Sequence, residues 1–175
     1  MASSSYGFGV VYLAVLLPCL LVPASATKYI DAICHLVSDK AFCTKTLNAY
    51  PPATSATSTF EAAVATLHLG VSYANNAAGF AGEAAKENPQ LKEKFDPCQR
   101  ELALISRGLK NASEELYDDT AYFDVTDCLD NIATMKNLVG KNTDKASKTI
   151  ITMTLMLEKF IFLAIGATST IDIKT

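Results

Sequence analysis

An all-α fold, with an N-terminal helical hairpin followed by an antiparallel up-and-down four-helix bundle and two disulfides, is predicted by three features of the 175-residue sequence. Apolar residues recur at spacings of three and four along four long segments, as on one buried helix face. No run shows convincing strand-like alternation. Four cysteines remain once an export signal is set aside, a number that suits two disulfides in a short secreted chain.

The export signal is read from the N-terminus. Residues 1–26 contain no Lys, Arg, Asp or Glu, residues 10–22 are almost purely apolar, and Ala24-Ser25-Ala26 follows as a small-residue cleavage site. That order is a secretory signal peptide, although no basic residue precedes the apolar core. About 13 apolar residues are too few to span a ~30 Å hydrocarbon core as a helix. The expectation is a signal over 1–26, cleavage between Ala26 and Thr27, and one helical domain over 27–175. The mature chain then meets an oxidising compartment, where cysteines pair.

Cys19 leaves with the signal, and Cys34, Cys43, Cys98 and Cys128 remain, with three connectivities open. The spacing favours Cys34–Cys43 and Cys98–Cys128. A continuous helix would hold residues nine apart at about 13 Å, beyond a disulfide's span, so the chain must reverse between Cys34 and Cys43. Ser38-Asp39 is the expected place, between short helices over 29–37 and 41–50. A zinc site is a poorer reading: no CxxC occurs, and His35 and His68 do not cluster with the thiols in sequence.

Beyond a Pro/Ser/Thr-rich connector over 51–58, each bundle helix announces itself. Ser58 and Glu61 form a capping box. Val64, Leu67, Val71, Ala74, Ala78, Ala81 and Ala85 share a stripe until Asn88-Pro89 stops the helix. The second helix is expected to start at Asp96 as N-cap with Pro97 at the first helical position, and its seam is Cys98, Leu102, Ile105, Leu109, Ala112 and Leu116. The third has Asp124 near its start, then Val125, Cys128, Ile132, Met135 and Val139, with Gly140 ending it. The fourth runs from about Thr143 with Ala146, Ile150, Met153, Leu157, Phe160 and Ala164. Cys98 and Cys128 lie on successive seams, and closing their loop of about 30 residues would stabilise the fold by roughly 3–4 kcal/mol. Residues 149–167 approach membrane-spanning length, but Glu158, Lys159 and several threonines favour a buried bundle helix. The polar Asp172-Ile173-Lys174 tail is unlike a lipid-anchor signal.

Chemistry is sparse. No G-x-S-x-G, H-E-x-x-H, Gly-rich phosphate loop or paired-histidine motif occurs, and His68 reads as a structural helix-face residue. Asp118, Asp119, Asp124, Asp127 and Asp130 match neither a calcium loop nor a paired-carboxylate site. A binding protein without cofactor or metal is expected, not an enzyme. The net charge of −3 gives no nucleic-acid footprint, and it argues against tight binding to an acidic polysaccharide. Asn111-Ala112-Ser113 is the one N-glycosylation sequon of the mature chain, with Asn111 opposite the core-facing Leu109 and Ala112.

These features resemble the plant invertase and pectin methylesterase inhibitor family across essentially the whole mature chain. The residues that carry the likeness are Cys34-(eight residues)-Cys43 with Thr46-Leu47 behind it and the Ala-rich helix between Ala62 and Ala85. With them go Leu91 and Phe95-Asp96-Pro97-Cys98, and Thr126-Asp127-Cys128. The resemblance implies first-with-second and third-with-fourth disulfides, a helical hairpin and four-helix bundle, and non-covalent blockade of a cell-wall carbohydrate enzyme. It implies secretion to the apoplast or cell wall, or to the vacuole, with a pectin methylesterase or an acid invertase as protein partner and no membrane. A Pro-Lys-Phe motif, frequent in the invertase inhibitors, has only its Phe at Asp119-Thr120-Ala121-Tyr122-Phe123, and the stretch from Cys98 to Cys128 is about ten residues shorter than usual. The missing motif favours pectin methylesterase as the target. Tyr117, Asp118, Asp119, Tyr122 and Phe123, placed in the connector between the second and third bundle helices, are the candidate target contacts. A lipid- or ligand-binding helical protein and a non-inhibitory defence protein are the rival classes.

Overall fold

The computed structural model describes residues 24–118 and 120–171, with side chains from Lys28 onward. The expected signal segment up to residue 23, Asp119 and the 172–175 tail lie outside the described residues, and the expected cleavage point, Ala26/Thr27, falls in the first helical turn. Among the described residues every regular element is helical. They are α1 (Ala24–His35), α2 (Lys40–Asn48), α3 (Pro51–Thr54), α4 (Thr59–Glu87), a 3₁₀ turn (Pro89–Leu91), α5 (Lys92–Glu114), α6 (Thr120–Val139) and α7 (Lys145–Ser169).

Helices α4 to α7 form the antiparallel bundle, α4 packing on α5 and α7 while α6 packs on the same two from the opposite corner. The seams meet inside: Leu67, Leu102, Ile105, Leu109, Ile132, Met135, Ile150 and Leu157 are all fully or almost fully buried. The alanine face of α4 is wider than its sequence stripe, since Ala62, Ala63, Ala74, Ala77, Ala81, Ala84 and Ala85 are all buried. Small side chains there let α5 and α7 approach closely. α7 is long and apolar enough to cross a membrane, yet here it packs against α4, α6 and α1, with half of its most apolar window buried.

The N-terminal hairpin lies against this bundle. Asp39 caps α2 by accepting from the Phe42 amide (3.1 Å), which sets the reversal where the sequence places it. The reversal brings the Cα atoms of Cys34 and Cys43 to 5.5 Å, and the two cysteines form a disulfide. α1 packs on both α4 and α7. Gly166 makes the close approach to α7 feasible, because a β-carbon there would sit 2.6 Å from Val37 Cγ2 and 3.1 Å from the Ile33 carbonyl oxygen. Phe160 reaches Phe42 and Tyr73 at centroid distances of 5.7 and 4.9 Å, and Lys159 donates to Asp39 (2.9 Å).

One expectation is corrected by the register of α5 and α6. Cys98 and Cys128 are buried on the two seams, as their spacing predicts, but they are free thiols. Cys128 Sγ fills the hollow beside Gly108, 2.9 Å from where a β-carbon would be, and contacts the Ile105 carbonyl at 3.8 Å. Asn131 donates to Glu101 (2.8 Å) in the same register. Cys98 therefore stands seven residues, about 10 Å of helix, from the level of Cys128. A disulfide needs Cα atoms within about 7 Å. The cause is the position of the turn: Glu101 and Asn131 are symmetric about Leu116, whereas a Cys98–Cys128 bridge needs a hairpin centred at Ser113, which is still within the last turn of α5.

Three boundaries also move. Residues 51–54 of the expected connector form α3, started by its two prolines. α5 begins at Lys92, not Asp96, so Pro97 lies inside the helix. Full burial of Phe95 in that extra turn stabilises by about 2–3 kcal/mol, which offsets most of the roughly 3 kcal/mol that an interior proline costs. α6 begins at Thr120, four residues before Asp124, and Gly140 follows its last residue without adopting a positive φ.

Candidate docking surface

The candidate contacts gather where α4 begins, α5 ends and α6 begins. Ser58 Oγ accepts from the Glu61 amide (3.1 Å), as the capping box predicts. The Glu61 carboxylate reaches back one residue further than a standard box, to the amide (2.7 Å) and hydroxyl (2.8 Å) of Thr57. The Thr57 amide, followed by its hydroxyl, holds the Glu61 carboxyl below the usual carboxylate range. This fixed first turn presents Phe60, whose ring stacks on Tyr117 with centroids 4.4 Å apart and planes 10° from parallel.

The α5–α6 connection is short and tied by its own backbone. The Asp118 amide donates to the Glu115 carbonyl (2.7 Å), and the Ala121 amide donates to the Asp118 carbonyl (3.2 Å). Asp118 also accepts from the Thr120 amide at 3.4 Å. Tyr122 and Phe123 consequently stand on the first turn of α6, not in the connector where the sequence reading put them. Their rings meet edge to face at 6.0 Å.

Burial separates packing from presentation at this end. Leu116, Ala121 and Val125 close the bundle and are buried. Tyr117, Tyr122 and Phe123 are 73%, 44% and 63% exposed, so none of them closes it. Around them stand the exposed carboxylates of Glu61, Glu114, Glu115 and Asp118, and the nearby base Lys110 is paired with Glu114 (3.5 Å). Asp119 lies outside the described residues. Asn111, the sequon residue, is exposed on α5.

Phe60 is missed by the sequence reading although it continues the α4 stripe one step before Val64, at the i, i+4 spacing, and packs half-buried against the core. An aromatic residue at the head of the apolar stripe, in a capped first turn where the helix begins to leave the core, is the signal that marks it. Beside it a groove of about 320 Å³ runs between α3 and α4, lined by Pro52, Ala56, Phe60, Val64 and His68 among others. His68 is exposed on its wall. No group of three or more His, Cys, Asp or Glu side chains converges on a metal position among the described residues.

The buried thiols are chemically quiet. Burial, with Glu101 adding to it, pushes Cys98 up to about 11; burial, with Asp124 and Asp127, pushes Cys128 up to about 12. Both are protonated at neutral pH, unlike reactive thiolates.

No curated protein matches the sequence. The family model for plant invertase/pectin methylesterase inhibitors matches residues 28–157, from α1 to the middle of α7. The match covers about three-quarters of the sequence and takes in both the bridged hairpin and most of the bundle. The chain belongs to the plant invertase/pectin methylesterase inhibitor family.

Proposed function

We propose that the chain is exported, cleaved after Ala26, and blocks a pectin methylesterase by docking the acidic, aromatic end of its bundle onto a basic surface of the enzyme. The observation that carries this reading is the exposure of Tyr117, Tyr122 and Phe123 at an end already closed by other residues. Rigid aromatic side chains ringed by charge are the usual anchors of a protein interface: the rings exclude water and the rim steers the approach. Tyr117 is held ready by its stack on Phe60, so little side-chain freedom is lost on binding. The absent Pro-Lys-Phe motif favours the esterase over an invertase.

A glycan on Asn111 fits the same arrangement. Leu104, an exposed apolar residue, lies seven residues earlier on α5 and so on the same outer face. Sugar on that face would shelter it and leave the aromatic end open.

The test is a titration of the 27–175 chain against a pectin methylesterase and an acid invertase at pH 5 and 7. The esterase should lose activity stoichiometrically, and Tyr122→Ala with Phe123→Ala should weaken inhibition at least tenfold, about 1.4 kcal/mol, with helicity unchanged. Inhibition of the invertase alone reassigns the target. Indifference of both enzymes removes the inhibitor reading, and fatty-acid dye displacement then tests a ligand carrier.

A further inference from the structure

The net charge of −3 conceals a separation of charge along α6 and the turns at its two ends. From Glu114 to Asp130 the chain carries seven carboxylates and no base; from Lys136 to Lys148 it carries four lysines and one carboxylate, Asp144. The first stretch turns at one end of the bundle and the second at the other, with the 20 residues of α6, about 30 Å, between them.

At the basic end, among the described residues, four exposed lysines carry unpaired charge. Lys92, Lys110, Lys136 and Lys159 each pair with a carboxylate. Lys94, Lys141, Lys145 and Lys148 are all exposed, and among the described residues none of them forms an ion pair. Lys94 instead donates to Asn142 Oδ1 (2.9 Å), which draws it to the same loop. Two grooves meet here at Thr143. One, of about 500 Å³, runs along the start of α7 past Lys145, Lys148, Thr149, Thr152 and Met153. The other, of about 450 Å³, crosses the bundle end past Gln90, Leu91, Lys141, Asn142 and Asp144. The hydroxyls of Thr149 and Thr152 donate to the carbonyls of Lys145 (3.0 Å) and Lys148 (2.8 Å), so each oxygen keeps lone pairs to accept a ligand hydroxyl. Asp144 is occupied as the N-cap of α7, accepting from the Ser147 amide (2.8 Å), so the helix end itself contributes nothing to the site.

We infer that these joined grooves bind a polyuronate, an acidic polysaccharide whose carboxylates meet Lys141, Lys145 and Lys148 while its hydroxyls meet the threonines. A run of sugar acids suits the shape better than one sugar, since Lys145 to Thr152 alone covers about 10 Å of helix. Neither groove contains an aromatic ring on which a nucleobase could stack. The choice of polyuronate among anionic polymers rests on the proposed target, because a pectin methylesterase leaves free carboxylates on its polymer. The inhibitor would then be held by one end on the product while the other end meets the enzyme.

Calorimetric titration of the 27–175 chain with a de-esterified oligogalacturonide, and with the fully methyl-esterified oligomer of equal length, tests this. Binding is expected for the acid form only, weakening steeply as added salt shortens the screening length. Lys141→Gln with Lys145→Gln and Lys148→Gln should reduce affinity at least tenfold. These side chains are exposed, so the fold should be unaffected, and the variant should inhibit pectin methylesterase on a highly esterified substrate as the parent does. Equal binding of acid and ester forms, an unchanged affinity in the triple variant, or equally tight binding of duplex DNA of the same charge overturns the assignment. Failure of enzyme inhibition with retained oligogalacturonide binding would remove the target and leave this site standing.

Discussion

Two hairpins in this molecule each carry a cysteine on both arms, and only one is bridged. In the first, α1 and α2 reverse within a few residues, so Cys34 and Cys43 are brought together by the turn alone, at a Cα separation of 5.5 Å. In the second, α5 and α6 are long, and which residues meet is decided by the seams and by where the chain turns. A turn at Glu115 to Asp118 sets Cys128 beside Gly108 and Ile105 and leaves Cys98 two helical turns away. The comparison teaches that short spacing is itself geometry, whereas long spacing becomes geometry only once the register is known. A turn displaced by three residues moves the partner of Cys98 by twice that, about six.

The most damaging way to probe the unbridged hairpin is to attack the seam that sets its register. Ile105→Ala or Ile132→Ala should each cost about 2–5 kcal/mol in urea denaturation, because both side chains are almost completely buried. The bridged hairpin should yield less: Cys34→Ser with Cys43→Ser releases a loop of nine residues, worth about 2.5 kcal/mol in the chain-entropy account. Smaller still is Cys98→Ala with Cys128→Ala. Two thiols lost from a packed interior should cost about 1–2 kcal/mol, well below the roughly 4 kcal/mol expected for removing a bridge over 30 residues. Thiol counting in denaturant sharpens this without mutation. Two reactive thiols are expected from a chain of residues 27–175, and none would mean that α5 and α6 pair in the other register.

Thiol titration adds a pH arm to the same comparison. Both free cysteines have folded values raised above 9.0, so the protonated form is the one the fold favours. Their contribution to stability is complete below pH 9 and is lost as pH rises toward about 11 and 12. The parent should therefore lose stability over that interval more steeply than the Cys98→Ala, Cys128→Ala variant. Parallel curves would mean that these sulfurs do not titrate.

Most of the architecture was legible because local signals and seams agreed. Ser58 and Glu61 began α4 where expected, Asn88-Pro89 ended it, and Asp144 sits one residue from the expected start of α7. The misplaced start of α5 shows where local chemistry loses to tertiary burial: Asp96-Pro97 is a good helix beginning, but Phe95 has to be inside the core, and the helix extends back to carry it. The docking surface was half legible. Tyr117, Tyr122 and Phe123 were visible as aromatics amid acids, but their exposure depends on Leu116, Ala121 and Val125 sealing the end instead. Phe60 lies 57 positions from Tyr117 and no periodicity links them; only the antiparallel return of α5 to the start of α4 brings the rings together.

The finest test concerns what holds the bridged hairpin to the bundle. Asp39 Oδ2 accepts from Lys159 of α7 (2.9 Å) while Oδ1 caps α2, and these two hydrogen bonds, the lysine's first, keep its carboxyl below the usual value of 3.8. A depressed folded value means that the stabilisation is present above pH 3.8 and disappears as pH falls through the lower folded value. Both side chains are about half exposed, so the effect is small and screened by salt. Asp39→Asn keeps a capping oxygen but removes the charge. It should lower the melting temperature slightly at pH 5 in low salt, and should match the parent at pH 2.5 or in 1 M salt. An equal deficit at both pH values would assign Asp39 to capping alone and leave the disulfide-closed hairpin held on the bundle by its apolar contacts, Phe42 on Phe160 and Val37 at Gly166.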